Sequence, residues 1–164
     1  MERVPVTPAG LKKMQSELKR LKSVERPRII QAIAEARGHG DLSENAEYDA
    51  AKHEQSLTEG RIKTLGARIS LAEVIDPLDH VGKERVVFGA KVTIEDTEEG
   101  KESVYQIVGE DEADLERGLI SVTSPIARAL IGKNLGDTVT VVSPKGRSDY
   151  DITDVEYVAV EHDE

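Results

Sequence analysis

Thr7-Pro8-Ala9-Gly10-Leu11-Lys12-Lys13-Met14-Gln15-Ser16-Glu17-Leu18-Lys19-Arg20-Leu21 decides the fold. Thr7 offers a hydroxyl to cap a helix, and Pro8 at the first helical position loses nothing by lacking an N–H. Leu11, Met14, Leu18 and Leu21 step by threes and fours, which lines up one apolar stripe. Pro27 interrupts it, because proline cannot donate to the residue four back and crowds that carbonyl. A kink or short break is therefore expected near residues 23–27. Ile30, Ile33 and Ala34 resume the pattern, and the helix is expected to stop at Arg37, with Gly38 in the left-handed conformation just beyond. A second helix is expected from Asp41 as N-cap, with Glu44 as its capping-box partner. Its apolar positions read as two stripes: Ala46, Ala50, His53 and Leu57, then Ile62, Leu65, Ile69 and Ala72. Helices joined by roughly three or four residues run antiparallel. At ~1.5 Å per residue, helices of about 30 residues give a hairpin roughly 45 Å long. Such a hairpin has too little core to stand alone, so residues 1–76 are expected to project from a second domain.

That domain is expected over residues 77–164, beginning where Asp76-Pro77 ends the helix. The pattern there changes to period two and to β-branched residues. Val86-Val87-Phe88 and Lys91-Val92-Thr93-Ile94 read as strand, with Gly89 a bulge or close approach. Glu98-Glu99-Gly100 reads as a turn before the strand from Ser103 to Val108. Ser124-Pro125 caps a short helix through Ile131, ended by Gly132. Thr138 to Val142 and Tyr150 to Val160 complete the sheet, around a Pro144-Lys145-Gly146 turn. Strands in sequence with one short helix indicate a small α+β domain.

Composition excludes several functions. The 164 residues carry 22 Lys plus Arg against 32 Asp plus Glu, a formal charge of −10, and no cysteine. Disulfides, thiol catalysis and Cys-ligated zinc are ruled out. No apolar run approaches a membrane span, and Met1-Glu2-Arg3-Val4-Pro5 lacks the apolar core of a signal peptide, so the cytoplasm is expected. Four Tyr, one Phe and no Trp leave little for a base-stacking platform. The charge is partitioned: residues 8–38 are net +5 and residues 41–60 net −5, reversing near residue 40. Asp111-Glu112-Ala113-Asp114 spells a helicase tetrad, but no phosphate-binding loop accompanies it, and it reads as a long acidic surface loop. His39, His53, His80 and His162 lack the spacing of a zinc hydrolase, and no serine–histidine motif is present.

Asp41 and Glu44 have two readings. One is the N-cap and capping box. The other rests on location: positions i and i+3 share a helix face, so both carboxylates would point off the hairpin's end. The positive end of the second helix would keep them ionised. Paired hard oxygens suit Mg²⁺, which takes one or two carboxylates and completes its shell with water and phosphate. Alone the pair would hold Mg²⁺ weakly, and it makes sense as half of a site completed by another protein.

Gly40-Asp41-Leu42-Ser43-Glu44-Asn45-Ala46-Glu47-Tyr48 resembles the hairpin tip of the bacterial Gre transcript cleavage factors. Arg26-Pro27-Arg28-Ile29-Ile30, Glu59-Gly60-Arg61-Ile62 and the segment Ser124 to Lys133 agree with it, as do Val87-Phe88-Gly89-Ala90 and Gly109 to Asp114. The similarity spans nearly the whole chain, and the modest basic content is nearer the GreA branch than GreB. The resemblance implies an N-terminal coiled-coil hairpin and a C-terminal FKBP-like domain, working as a monomer. It implies that the hairpin enters the secondary channel of RNA polymerase, where backtracking extrudes the RNA 3′ end, while the FKBP-like domain docks at the channel rim. Asp41 and Glu44 would be the catalytic pair, sharing an Mg²⁺ with the polymerase and binding it only weakly in the free protein. Arg37 and Lys52 would attract RNA phosphates. Asn45 would support the tip, Tyr48 would pack across the hairpin, and roles for Glu47 and Asp49 stay open. A channel-inserting inhibitor without cleavage stimulation is the alternative function, and a stand-alone metal nuclease is disfavoured by having only two clustered carboxylates.

Overall fold

The computed structural model describes residues 2–38 and 45–161. The chain forms two compact units, one of Lys12–Leu71 and one joining the first eleven residues to the chain from Ala72 onward. The division does not follow a single cut near residue 76. Val4–Val6 (β1) pairs in parallel with Ala72–Val74 (β2), which places the amino-terminal segment in the sheet-bearing unit. Three-residue strands, one of them containing Pro5, give no usable alternation, and both went unseen in the sequence.

The hairpin unit runs through α1 (Pro8–Arg20), a π-helical turn (Leu21–Glu25), α2 (Arg26–Arg37) and α3 (Ala46–Leu71). The expected break is this π turn. Pro27 has no N–H to give, and the Arg26 N–H reaches back five residues to the Leu21 carbonyl. The Ser23 hydroxyl donates to the Lys19 carbonyl at 2.7 Å within the same stretch. The extra residue in the turn rotates every later position, so the buried side chains of α2 are Ile29, Ile33 and Ala36, while Ile30 and Ala34 face out. The helix ends at Arg37 as expected, but Gly38 is right-handed (φ −67°), its N–H bonding to the carbonyls of Ala34 and Glu35.

On α3 the sequence reading is corrected in phase. Ala51 is buried, not Ala50, and Leu57 is 63% exposed. The inward positions Tyr48, Ala51, Gln55, Thr58, Ile62, Leu65 and Ile69 form one heptad seam rather than two stripes. Half-buried Gln55 and Thr58 in its middle disguised it as two. Ion pairs fix the antiparallel register: Arg26 grips Glu59 with two bonds of 2.9 and 2.7 Å, Arg61 grips Glu17 at 2.9 and 3.2 Å, and Arg28 reaches Glu54. The Arg61 hydrogen bond holds the Glu17 carboxyl below its ordinary range, and the Arg26 hydrogen bond does the same for Glu59. Lowered carboxyl values mean stability that is complete above the ordinary glutamate range and lost as pH falls through the lowered folded values. The thermal midpoint of the hairpin should therefore drop modestly below about pH 4.5. A Glu17→Gln, Glu59→Gln double variant followed by circular dichroism should show a flatter profile; an unchanged profile removes these pairs from the hairpin's stability.

In the other unit, five strands are ordered β5-β4-β3-β7-β6: β3 is Lys91–Asp96, β4 Glu102–Val108, β5 Leu119–Ser121, β6 Thr138–Ser143 and β7 Gly146–Glu156. All neighbours are antiparallel except β4 with β5, and a bulge lies at Thr93/Ile94 against β7. The short helix α4 (Pro125–Leu130) is capped by the Ser124 hydroxyl, which accepts from the Ala127 N–H. Its Ala127 and Leu130 join Val86, Ala90, Val92, Ile94, Ile107 and Ile152 in the core. Val86–Phe88 is not a strand, a second correction. Its backbone is held instead by Lys133, by Gly132 and by the Tyr157 hydroxyl, which accepts from the Val87 N–H. Gly89 is the expected close approach: its φ is +93°, and a Cβ there would lie 3.0 Å from Pro77 Cγ.

Candidate functional site at the hairpin tip

Asp41 and Glu44 lie outside the described residues, but the structure settles what holds the helix that follows them. The helix α3 begins at Ala46 and its N-cap is Asn45, not Asp41. The Asn45 side-chain oxygen accepts from the Tyr48 N–H at 3.0 Å, and its backbone carbonyl accepts the first helical bond from Asp49 at 3.1 Å. The same side chain donates through Nδ2 to the Ala36 carbonyl at 2.6 Å. One amide thus satisfies a free N–H at the start of α3 and bonds a carbonyl in the last turn of α2. The capping duty assigned to Asp41 and Glu44 from sequence belongs to Asn45. The signal was there in the spacing: Asn45 directly precedes Ala46, with Glu47 and Asp49 in the first turn, where acidic residues favour the helix dipole.

Around this brace the other expected residues take definite places. The half-buried ring of Tyr48 packs beside Ile29, Ile33 and Ala51. The exposed Arg37 stands with its guanidinium 6.0 Å from the centroid of that ring, a cation–π distance. Lys52, one turn further along α3, is exposed and donates to Gln55 at 3.0 Å. The structure therefore brings Asn45, Tyr48 and Arg37 together and sets Lys52 on the outward side. Asn45→Asp is a sharp probe here, because a carboxylate keeps the cap but presents oxygen to the Ala36 carbonyl. It should leave helix content near wild type, whereas Asn45→Ala loses cap and brace together and should cost about 1–2 kcal/mol of hairpin stability. Chemical denaturation of both variants checks this ranking, and equal losses would mean the brace and not the cap carries the energy.

Among the described residues no group of three or more His, Asp or Glu is placed to hold a metal ion. Two carboxylates have the right chemistry for Mg²⁺ when the remaining ligands are water, phosphate or another protein.

These features define a protein of a two-helix seam and a five-stranded sheet, with Arg37, Asn45 and Tyr48 brought together between the end of α2 and the start of α3. The chain belongs to the GreA/GreB family of transcription elongation factors. Residues 4–74 match the model described as "Transcription elongation factor, N-terminal", and residues 81–157 the one described as "Transcription elongation factor, GreA/GreB, C-term". Transcription elongation factor GreA of Alkalilimnicola ehrlichii is 59% identical over 157 residues, covering 96% of this chain and 99% of that protein. Transcription elongation factor GreA of Anaeromyxobacter sp. (strain K) is 60% identical over 161 residues, covering 98% and 96%. Among solved structures, GreA factor homolog 1 of Thermus thermophilus is 25% identical, covers 94% of this chain and 99% of its own, and superposes with a TM-score of 0.43.

Proposed function

We propose that this protein rescues backtracked RNA polymerase by inserting its hairpin into the secondary channel and stimulating cleavage of the extruded transcript. The observation that carries the reading is the double grip of Asn45, which takes the N-cap position of α3 itself and bonds back to Ala36 on α2. Asp41 and Glu44 would hold an Mg²⁺ shared with the polymerase and orient the attacking water. Bound there, such an ion supplies a more acidic water and charge neutralisation at the phosphate. The water oxygen bonds to phosphorus and the P–O3′ bond breaks. The upstream RNA keeps a 3′-hydroxyl in register, and the released fragment carries the 5′-phosphate. Arg37 and Lys52, exposed on either side of the loop, draw the RNA phosphates in through a salt-sensitive contact. Asn45 ties the start of α3 to the end of α2, and Tyr48 packs on the seam beside it.

Incubation with a defined backtracked complex tests this. Release of short RNA followed by resumed elongation is expected. No release together with slower nucleotide addition would identify a channel-blocking inhibitor instead. RNA hydrolysis without polymerase would identify a nuclease.

A further inference from the structure

Strands β3 and β4 turn Val92, Ile94 and Ile107 into the core, so Lys91, Val104 and Gln106 share the other face of the sheet. There they line a groove of ≈ 790 Å³, which Arg117, Glu156 and Val158 also line. A volume of that order suits a small ligand or a few residues of peptide. Gln106 is only 7% exposed. Its Nε2 donates to the Gly89 carbonyl at 3.2 Å and to the Val158 carbonyl at 3.0 Å. Both partners are acceptors, so the orientation of the amide is fixed and Oε1 is the end left over. Among the described residues Oε1 accepts from no protein group, and no fully buried side-chain oxygen lacks a partner. The atom is therefore open to the groove that Gln106 lines. Lys91 stands directly opposite Gln106 in register, at a cross-strand Cβ separation of about 5 Å. Among the described residues its ammonium has no ion-pair or hydrogen-bond partner either.

An acceptor and a cation side by side ask for a particular ligand. A lone anion on Lys91 would face the Gln106 oxygen, and a lone cation on that oxygen would face Lys91. A group that sets an N–H beside a carboxylate satisfies both, and the last residue of a peptide carries the two on one Cα. The exposed side chains of Val104 and Val158 offer its side chain an apolar seat. Glu156 and Glu161, which also line the groove, disfavour an acidic one. We propose that this groove binds the carboxyl terminus of a partner polypeptide that ends in an apolar residue. The last amide N–H donates to Gln106 Oε1, the Lys91 ammonium donates to the carboxylate, and the side chain lies on Val104 and Val158. Every group involved belongs to the sheet-bearing unit, so the site stands independently of the function proposed for the tip.

The test titrates isotope-labelled whole protein with acetyl-glycyl-glycyl-leucine bearing a free carboxylate. The same peptide as its carboxy-terminal amide, and the same peptide N-methylated at the leucine, are compared with it. Chemical shifts of the Val104, Gly118 and Val158 amides and of the Gln106 side-chain NH₂ report binding, with Ile94 as reference. The free acid should move these signals saturably and leave Ile94 in place. The amide should need about 10-fold more peptide for half-saturation, and the N-methylated acid about 5-fold more. Lys91→Gln should weaken the free acid by about 10-fold and erase its advantage over the amide. The three peptides carry the test on wild-type protein alone if Lys91→Gln fails to fold. No saturable shift at millimolar peptide, or acid and amide binding equally, would overturn the proposal. So would an N-methylated peptide that binds as well as its parent, a Lys91→Gln protein that still prefers the acid, or acetate that produces the same shifts at the same concentration.

Discussion

Asp41→Ala is expected to lower stimulated transcript cleavage by roughly 100-fold or more while leaving polymerase binding nearly intact. The expectation follows from separating two jobs that the sequence left superimposed. Had Asp41 capped the second helix, its loss would unravel the first turn and mimic a catalytic defect. Asn45 does the capping, from four residues further along, so alanine at 41 should leave the helix content measured by circular dichroism unchanged. A variant that keeps its helices, keeps its affinity and loses cleavage places Asp41 in the chemistry. Full retained cleavage would remove it, and a parallel loss of helix signal would return it to a capping role.

Glu44→Ala is expected to act in the same direction, with a deficit that raised Mg²⁺ partly relieves. Removing one of two carboxylates weakens the ion's hold without abolishing it, and mass action can then restore occupancy. Relief should be visible as a rise in cleavage rate over a Mg²⁺ titration that has already saturated the wild-type reaction. An Asp41→Ala, Glu44→Ala double variant should gain little from the same titration, because neither proposed ligand remains. A Glu44→Ala deficit indifferent to Mg²⁺ would assign Glu44 to the loop's conformation.

The hairpin-and-sheet architecture could be read from residue patterns, and the places where the reading slipped have physical causes. Periodicity identified both arms of the hairpin, but the π turn ahead of Pro27 adds a residue to the phase, and no spacing rule anticipates that; Ile29 took the place expected of Ile30. Polar Gln55 and Thr58 broke the α3 seam into apparent halves, since an apolar count sees a gap where a heptad continues. Strands β1 and β2 are stabilised by pairing across the whole hairpin, a contact that local pattern cannot contain. Val86–Phe88 shows the opposite error: β-branched residues there serve core packing, with backbone partners outside any ladder.

At the tip, Arg37, Asn45, Tyr48 and Lys52 were all singled out from residue type and resemblance, and the structure gave three of them a common locality. What stayed hidden was the second bond of Asn45, because its partner is a carbonyl nine residues away on the other helix. Glu112 was hidden for a related reason. A charged residue in an acidic run reads as solvated until the buried donors around it, Thr7 and Gly109, are brought together by folding.

The Mg²⁺ dependence of RNA hydrolysis in one backtracked complex, measured with and without the protein, bears most directly on the claim that the tip contributes ligands. The half-saturating Mg²⁺ concentration should fall when wild-type protein is present and should not fall with Asp41→Ala. A faster reaction whose Mg²⁺ requirement is the same with and without the protein would contradict the account.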